Sequence, residues 1–133
     1  MSMRNPQQIY QQNAVTTATP AELTLMLYNG AIRFVRQSKQ ALEHKELEKA
    51  HQANVRAQDI INELMVTLNM DVDLSKQLLQ LYDYLRNRLI EANVQKDGEI
   101  LNEVEEFLIQ FKATWEQAMK LAKHPTASVS SEK

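Results

Sequence analysis

Cysteine is absent from this chain, which excludes disulfides, thiolate zinc centres and cysteine nucleophiles together and fits a reducing compartment. Glycine is nearly absent too. With two glycines in 133 residues, no Gly-x-Gly-x-x-Gly, Gly-x-x-x-x-Gly-Lys or Gly-x-Ser-x-Gly occurs, so phosphate-cradling loops and nucleophile elbows are excluded. The three prolines, Pro6, Pro20 and Pro125, all sit near or outside the ends of helical patterns, and the composition is that of an all-α protein. A formal charge of −2, without clustered Lys/Arg and interleaved aromatics, gives no driving force for binding phosphate backbones, so nucleic acid is not an expected partner. No stretch of about 18 apolar residues is present, and Met-Ser-Met-Arg-Asn-Pro-Gln-Gln lacks the apolar region of a signal peptide. The expectation is a cytosolic protein without membrane insertion.

What is present is helical periodicity. Residues 1–18 form a polar, Gln-rich arm with Ile9, Tyr10 and Val15 as isolated apolar side chains, either extended or docked. Thr19 as N-cap, Pro20 at the first helical position and Glu22 three residues after the cap start the first helix, which runs to about Glu43. The second, about 46–69, carries a stripe of Ala50, Ala53, Ala57, Ile60, Ile61, Leu64 and Leu68, whose small members allow a close neighbour. Asn69-Met70-Asp71-Val72-Asp73 reads as a turn, with Asp73 as cap of the third helix, about 74–96. Its inward set is Leu74, Leu78, Leu81, Tyr82, Leu85, Leu89 and Ala92, with Leu79 and Ile90 off the stripe. Asp97-Gly98 opens the fourth, about 99–122, with Ile100, Val104, Phe107, Leu108, Phe111, Trp115, Ala118 and Ala122 inward. Residues 123–133 form a tail with nothing to bury, expected to be disordered. Long helices joined by short turns predict an antiparallel up-down-up-down four-helix bundle over residues 19–122; a coiled-coil dimer is the rival, disfavoured by the three breaks and the long aromatic side chains.

The first helix is apolar on two sides. At about 100° per residue, Leu23, Met26, Leu27, Gly30, Ala31, Phe34, Ala41 and Leu42 gather in one sector, read as the core stripe. Leu25, Tyr28, Ile32 and Val35 fall roughly opposite, and Glu22, Asn29, Arg33, Arg36, Gln37 and Gln40 fill the polar strip between. At roughly 1.5–3 kcal/mol per large buried side chain, the second sector holds on the order of 6–12 kcal/mol of burial for another surface. Either a partner or the chain's own N-terminal arm covers it. Leu79 and Ile90 make a second, smaller strip.

Chemistry is sparse. A di-iron bundle needs two Glu-x-x-His pairs plus two further inward Glu; Glu48-Lys49-Ala50-His51 is one, and neither His44 nor His124 completes another. The expectation is no metal, no cofactor and no catalytic residues. Glu105-Glu106 reads as a solvated charge pair, Tyr82 as core with its hydroxyl toward the rim, Asn54 as a satisfied structural group, and Met26, Met65 and Met119 as core filler. A self-assembling helical protein and a metal-bearing bundle enzyme remain as other classes.

Three stretches together, Tyr10 with Thr16-Thr17-Ala18-Thr19-Pro20-Ala21-Glu22-Leu23, then Met26-Leu27-Tyr28-Asn29-Gly30-Ala31-Ile32, then Leu81-Tyr82-Asp83-Tyr84-Leu85, resemble the FliS family of flagellin export chaperones. The likeness runs on through Ala92-Asn93 and Glu103-Val104 to Trp115. The resemblance implies a cytosolic bundle that binds the C-terminal segment of flagellin, prevents premature polymerisation and delivers it to the flagellar type III export apparatus. On the residues here, helix-in-groove capture falls to Leu25, Tyr28, Ile32, Val35, Leu79 and Ile90. It also implies that Ile9 and Tyr10 cap part of that groove when flagellin is absent, in a free monomer or weak homodimer.

Overall fold

The computed structural model describes residues 17–123, which leaves the arm's Ile9 and Tyr10 and the tail from residue 124 outside the described residues. Among these residues four long helices follow one another: α1 Pro20–Glu43, α2 Leu47–Val66, α3 Asp73–Gln95 and α4 Gly98–Lys123. α1 packs on α2 and α4, and α3 packs on the same two, so the helices occupy the corners of a square with α1 diagonal to α3. This is the antiparallel four-helix bundle that the short turns predict.

The helix starts follow from local chemistry. At α1 the capping box is complete: Glu22 N donates to Thr19 Oγ1 at 3.1 Å and Thr19 N donates to Glu22 Oε1 at 3.0 Å, which satisfies two otherwise orphaned donors. At α4 the Glu99 N–H donates to Asp97 Oδ1 at 2.9 Å. The start of α3 differs from expectation. Val72, in extended conformation, occupies the cap position and Asp73 is the first helical residue, where its carboxylate faces the positive helix end without capping it. α2 ends at Val66, earlier than expected, because Thr67 Oγ1 donates to the Leu64 carbonyl at 2.8 Å and Asn69 Oδ1 accepts from Asp71 N at 3.0 Å; both polar side chains compete with helix continuation.

The core is continuous across all four helices: Val35, Ala57, Ile61, Leu64, Leu85, Leu89, Leu101, Val104 and Leu108 are essentially closed to solvent. Leu101 joins it from beside the expected α4 stripe. Leu74, Ala118 and Ala122, expected inward, are exposed; they lie in terminal turns, beyond the layers to which all four helices contribute. Leu81 is exposed as well, about 100° around α3 from buried Tyr82. Gly30 lets α1 approach α2, since a Cβ there would sit 3.1 Å from Ile60 Cδ1. Buried Asn54 donates to the Leu89 carbonyl at 3.0 Å and accepts from Gln58 Nε2 at 2.7 Å, so its burial leaves no polar atom without a partner. Trp115 Nε1 donates to the Ala21 carbonyl at 2.9 Å, tying the last turns of α4 to the first turn of α1.

Candidate partner-docking surface

A helix at the corner of a square has two neighbours, and that decides the fate of the second apolar sector of α1. Tyr28, Ile32 and Val35 are buried, at 2%, 6% and 0% exposure. The Tyr28 ring packs against Tyr82, Phe111 and Trp115 at centroid distances of 6.5, 6.2 and 6.5 Å. Taking Ala31 as the inward direction, Phe34, Gly30 and Ala41 turn toward α2 while Tyr28 and Ile32 turn toward α4. The two sectors are two flanks of one broad inward arc. The exposure expected for Tyr28, Ile32 and Val35 is therefore corrected: their burial stabilises the bundle itself. Leu25, on the same flank, is half-buried and lines a shallow groove with Glu116, Met119 and Lys120.

The smaller strip survives. Ile90 is exposed at 42%, and Leu79 is half-buried. Around α3 they fall about 60–80° from Tyr82 on the side facing α2, the side from which Arg86 Nη1 donates to Asn62 Oδ1 at 3.1 Å and Asn93 meets His51 Nδ1 at 2.9 Å. Two further apolar side chains flank Ile90, Leu47 at the start of α2 and Val94 near the end of α3, exposed at 51% and 77%. Along the face between α2 and α3, apolar and polar side chains thus alternate: Leu47 and Val94 at one end, the His51–Asn93 pair, Ile90, the Asn62–Arg86 pair, and Met65 with Leu79 at the other end. Arg86 also contacts Asp83 at 2.5 Å, so the middle is charge-balanced. Such a face suits an amphipathic helix, with apolar anchors spaced along it and polar groups fixing its register. Leu47 and Val94, in the first turn of α2 and the last turn of α3, escaped the sequence reading.

Ion pairs bridge two of the other faces. Between α3 and α4, Glu103 accepts from Tyr84 Oη at 2.5 Å and from Arg88 Nε at 2.8 Å; these hydrogen bonds hold its carboxyl below the ordinary value of 4.5. Between α1 and α4, Glu105 receives Arg36 at 2.6 Å and Lys39 at 2.7 Å. Burial raises the Glu105 pKa, but the hydrogen bonds from Lys39 and Arg36 outweigh it and the net direction is downward. Among the described residues no three His, Asp or Glu side chains converge as metal ligands, and His51 is engaged by Asn93. No helix among them is long and apolar enough to cross a membrane.

Residues 3–122 match the family described as Flagellar protein FliS. A flagellar secretion chaperone FliS of Bacillus subtilis is 45% identical over 120 residues, 90% of each chain. Its counterpart in Vibrio cholerae is 32% identical over 121 residues, covering 86% of this chain and 89% of that one. In three dimensions the bundle resembles a bacterial flagellar chaperone solved by crystallography, with a TM-score of 0.72 at 21% identity over 86% of this chain and 98% of the other.

Proposed function

The chain belongs to the Flagellar protein FliS family, and from that membership we propose that it is a cytosolic export chaperone for flagellin. It binds the C-terminal helical segment of flagellin, prevents premature polymerisation and delivers the substrate to the flagellar type III export apparatus. An export substrate kept unfolded exposes amphipathic segments that self-associate, and a rigid bundle with a free apolar face masks them without catalysis. The relatives named above are chaperones, which act by binding.

The observation that carries the docking mode is the row of solvent-facing apolar side chains on α2 and α3, with Ile90 at its centre. Leu79, Leu47 and Val94 extend the contact, and Leu25 offers a second one near the α4 end of the bundle. Tyr28, Ile32 and Val35 act one step back, by keeping the scaffold rigid. Ile9 and Tyr10 are assigned the part of a removable cap that competes with flagellin for overlapping surface.

The test is polymerisation of purified flagellin followed by light scattering, with and without an equimolar amount of the chaperone. Suppression by the wild-type protein, together with its recovery in a complex with a flagellin C-terminal fragment, is the expected result. Undiminished polymerisation and no complex would refute the reading.

A further inference from the structure

On the side of the bundle away from α3, charge is segregated in a way that flagellin capture on α2 and α3 does not use. Between Glu22 and Glu43, α1 contains no carboxylate but carries Arg33, Arg36 and Lys39. Its outer ridge separates two open grooves that share Gln37 and Gln40. The groove toward α2, about 510 Å³, is lined by Phe34, Lys49 and Arg56 among others, with Glu46 as its one carboxylate, 3.1 Å from Lys49. The groove toward α4, about 380 Å³, is lined by Arg33, Arg36 and Lys112 beside the exposed Ile109; its lining holds no carboxylate, although Arg36 reaches Glu105 just outside it at 2.6 Å.

The ring of Phe34 joins them. It is half-buried, and the guanidinium carbons of Arg33 and Arg56 lie 5.2 and 5.6 Å from its centroid. Stacking on an aromatic face holds a guanidinium in place while leaving its N–H donors free for a carboxylate. Neither arginine has a carboxylate within 4.0 Å among the described residues, although Asp59 and Glu63 follow Arg56 on α2. Two arginines that share one aromatic ring and have no carboxylate partner among the described residues form a receptor for negative charge in a protein whose own net charge is negative.

We infer that the outer face of α1, with Arg33, Arg56 and Phe34 at its centre, docks an acidic segment of a partner protein that also presents an apolar side chain. Charge complementarity selects the occupant. The chain's own ends do not supply it: residues 1–21 contain no Asp or Glu, and residues 124–133 contain only Glu132. Arg56 lies more than 100° around α2 from His51 and Asn62, so this surface is distinct from the α2–α3 face, and the inference stands whether or not the partner there is flagellin.

The probe is a fluorescein-labelled helical peptide carrying Glu on one face and Leu on another, followed by anisotropy against the full-length protein. Its comparators are the same peptide with Gln in place of Glu, a single-stranded oligonucleotide of equal charge, and vesicles with anionic headgroups. The expected result is saturable binding of the acidic peptide, tighter than binding of all three comparators. Binding should weaken by about tenfold or more in R33E/R56E and be lost on raising the salt toward about 0.5 M. R33K/R56K should fall between, since it keeps charge but loses the fork. Circular dichroism melts show that each variant is folded, and I90D, remote from the ridge, should bind the peptide like wild type. Peptide affinity unchanged in folded R33E/R56E, equal affinity for the Gln peptide, or preference for the oligonucleotide or vesicles would each overturn the inference.

Discussion

The hydroxyls of Tyr28 and Tyr82 lie 2.5 Å apart in the interior, a single buried hydrogen bond between the diagonally opposed helices α1 and α3. Each hydroxyl satisfies the other in a space ringed by Phe111 and Trp115. Tyr28→Phe or Tyr82→Phe strands one buried hydroxyl and is expected to cost about 1–3 kcal/mol. The double variant removes both and should cost less than the sum of the single changes. Urea unfolding of the four proteins closes the cycle; additive losses would show that the two hydroxyls are not coupled.

The same pair sets an alkaline limit. Burial raises the pKa of both tyrosines above the ordinary 10.0; their shared hydrogen bond opposes that shift for Tyr28 and adds to it for Tyr82. A folded-state value above the unfolded one means that the contribution is complete below about pH 10 and is lost as pH climbs beyond it. The urea midpoint should therefore fall between about pH 10 and 11, and fall less steeply in Y28F/Y82F. Equal slopes would assign the alkaline loss to other groups.

Two turns carry lysine where the backbone is left-handed, Lys45 at φ 59 and Lys96 at φ 57. Lys96 sits at the C-cap of α3, its N–H donating to the Ala92 carbonyl. Glycine removes the Cβ strain of that conformation and returns part of the gain through a freer unfolded chain, so Lys96→Gly should stabilise by roughly 0.5–1 kcal/mol. Thermal melting tests this, and a lowered midpoint would show that the lysine side chain contributes more than the strain costs.

Val35 and Ile90 are both apolar residues off an expected stripe, yet they should respond oppositely to charge. Val35→Asp places an unpaired carboxylate in a closed core and should cost on the order of 4 kcal/mol or more. Ile90→Asp should leave the melting midpoint within a few degrees of wild type. If both variants melt alike, the division between core and docking face is wrong.

The four helices, their order and the α1 capping box were legible because period and cap chemistry are local. Tyr28, Ile32 and Val35 were misplaced for a geometric reason. A helical wheel shows how wide an apolar arc is, but not whether one neighbour or two will cover it, and α1 sits where two do. The exposure of Ile90 was legible because α3 has a narrower arc. Leu47 and Val94 were not, because a side chain in the first or last turn of a helix has too few companions to define a face. The pairing of Arg33 with Arg56 over Phe34 required the tertiary contact between α1 and α2, which no spacing within either helix encodes.

The most direct measurement is calorimetric titration of a flagellin C-terminal fragment into wild-type protein and into I90D/V94D, with melts recorded on the same samples. Saturable binding to wild type and affinity reduced by about tenfold or more in a variant that melts normally is the expected result. Undiminished affinity in that folded variant would contradict docking on the α2–α3 face.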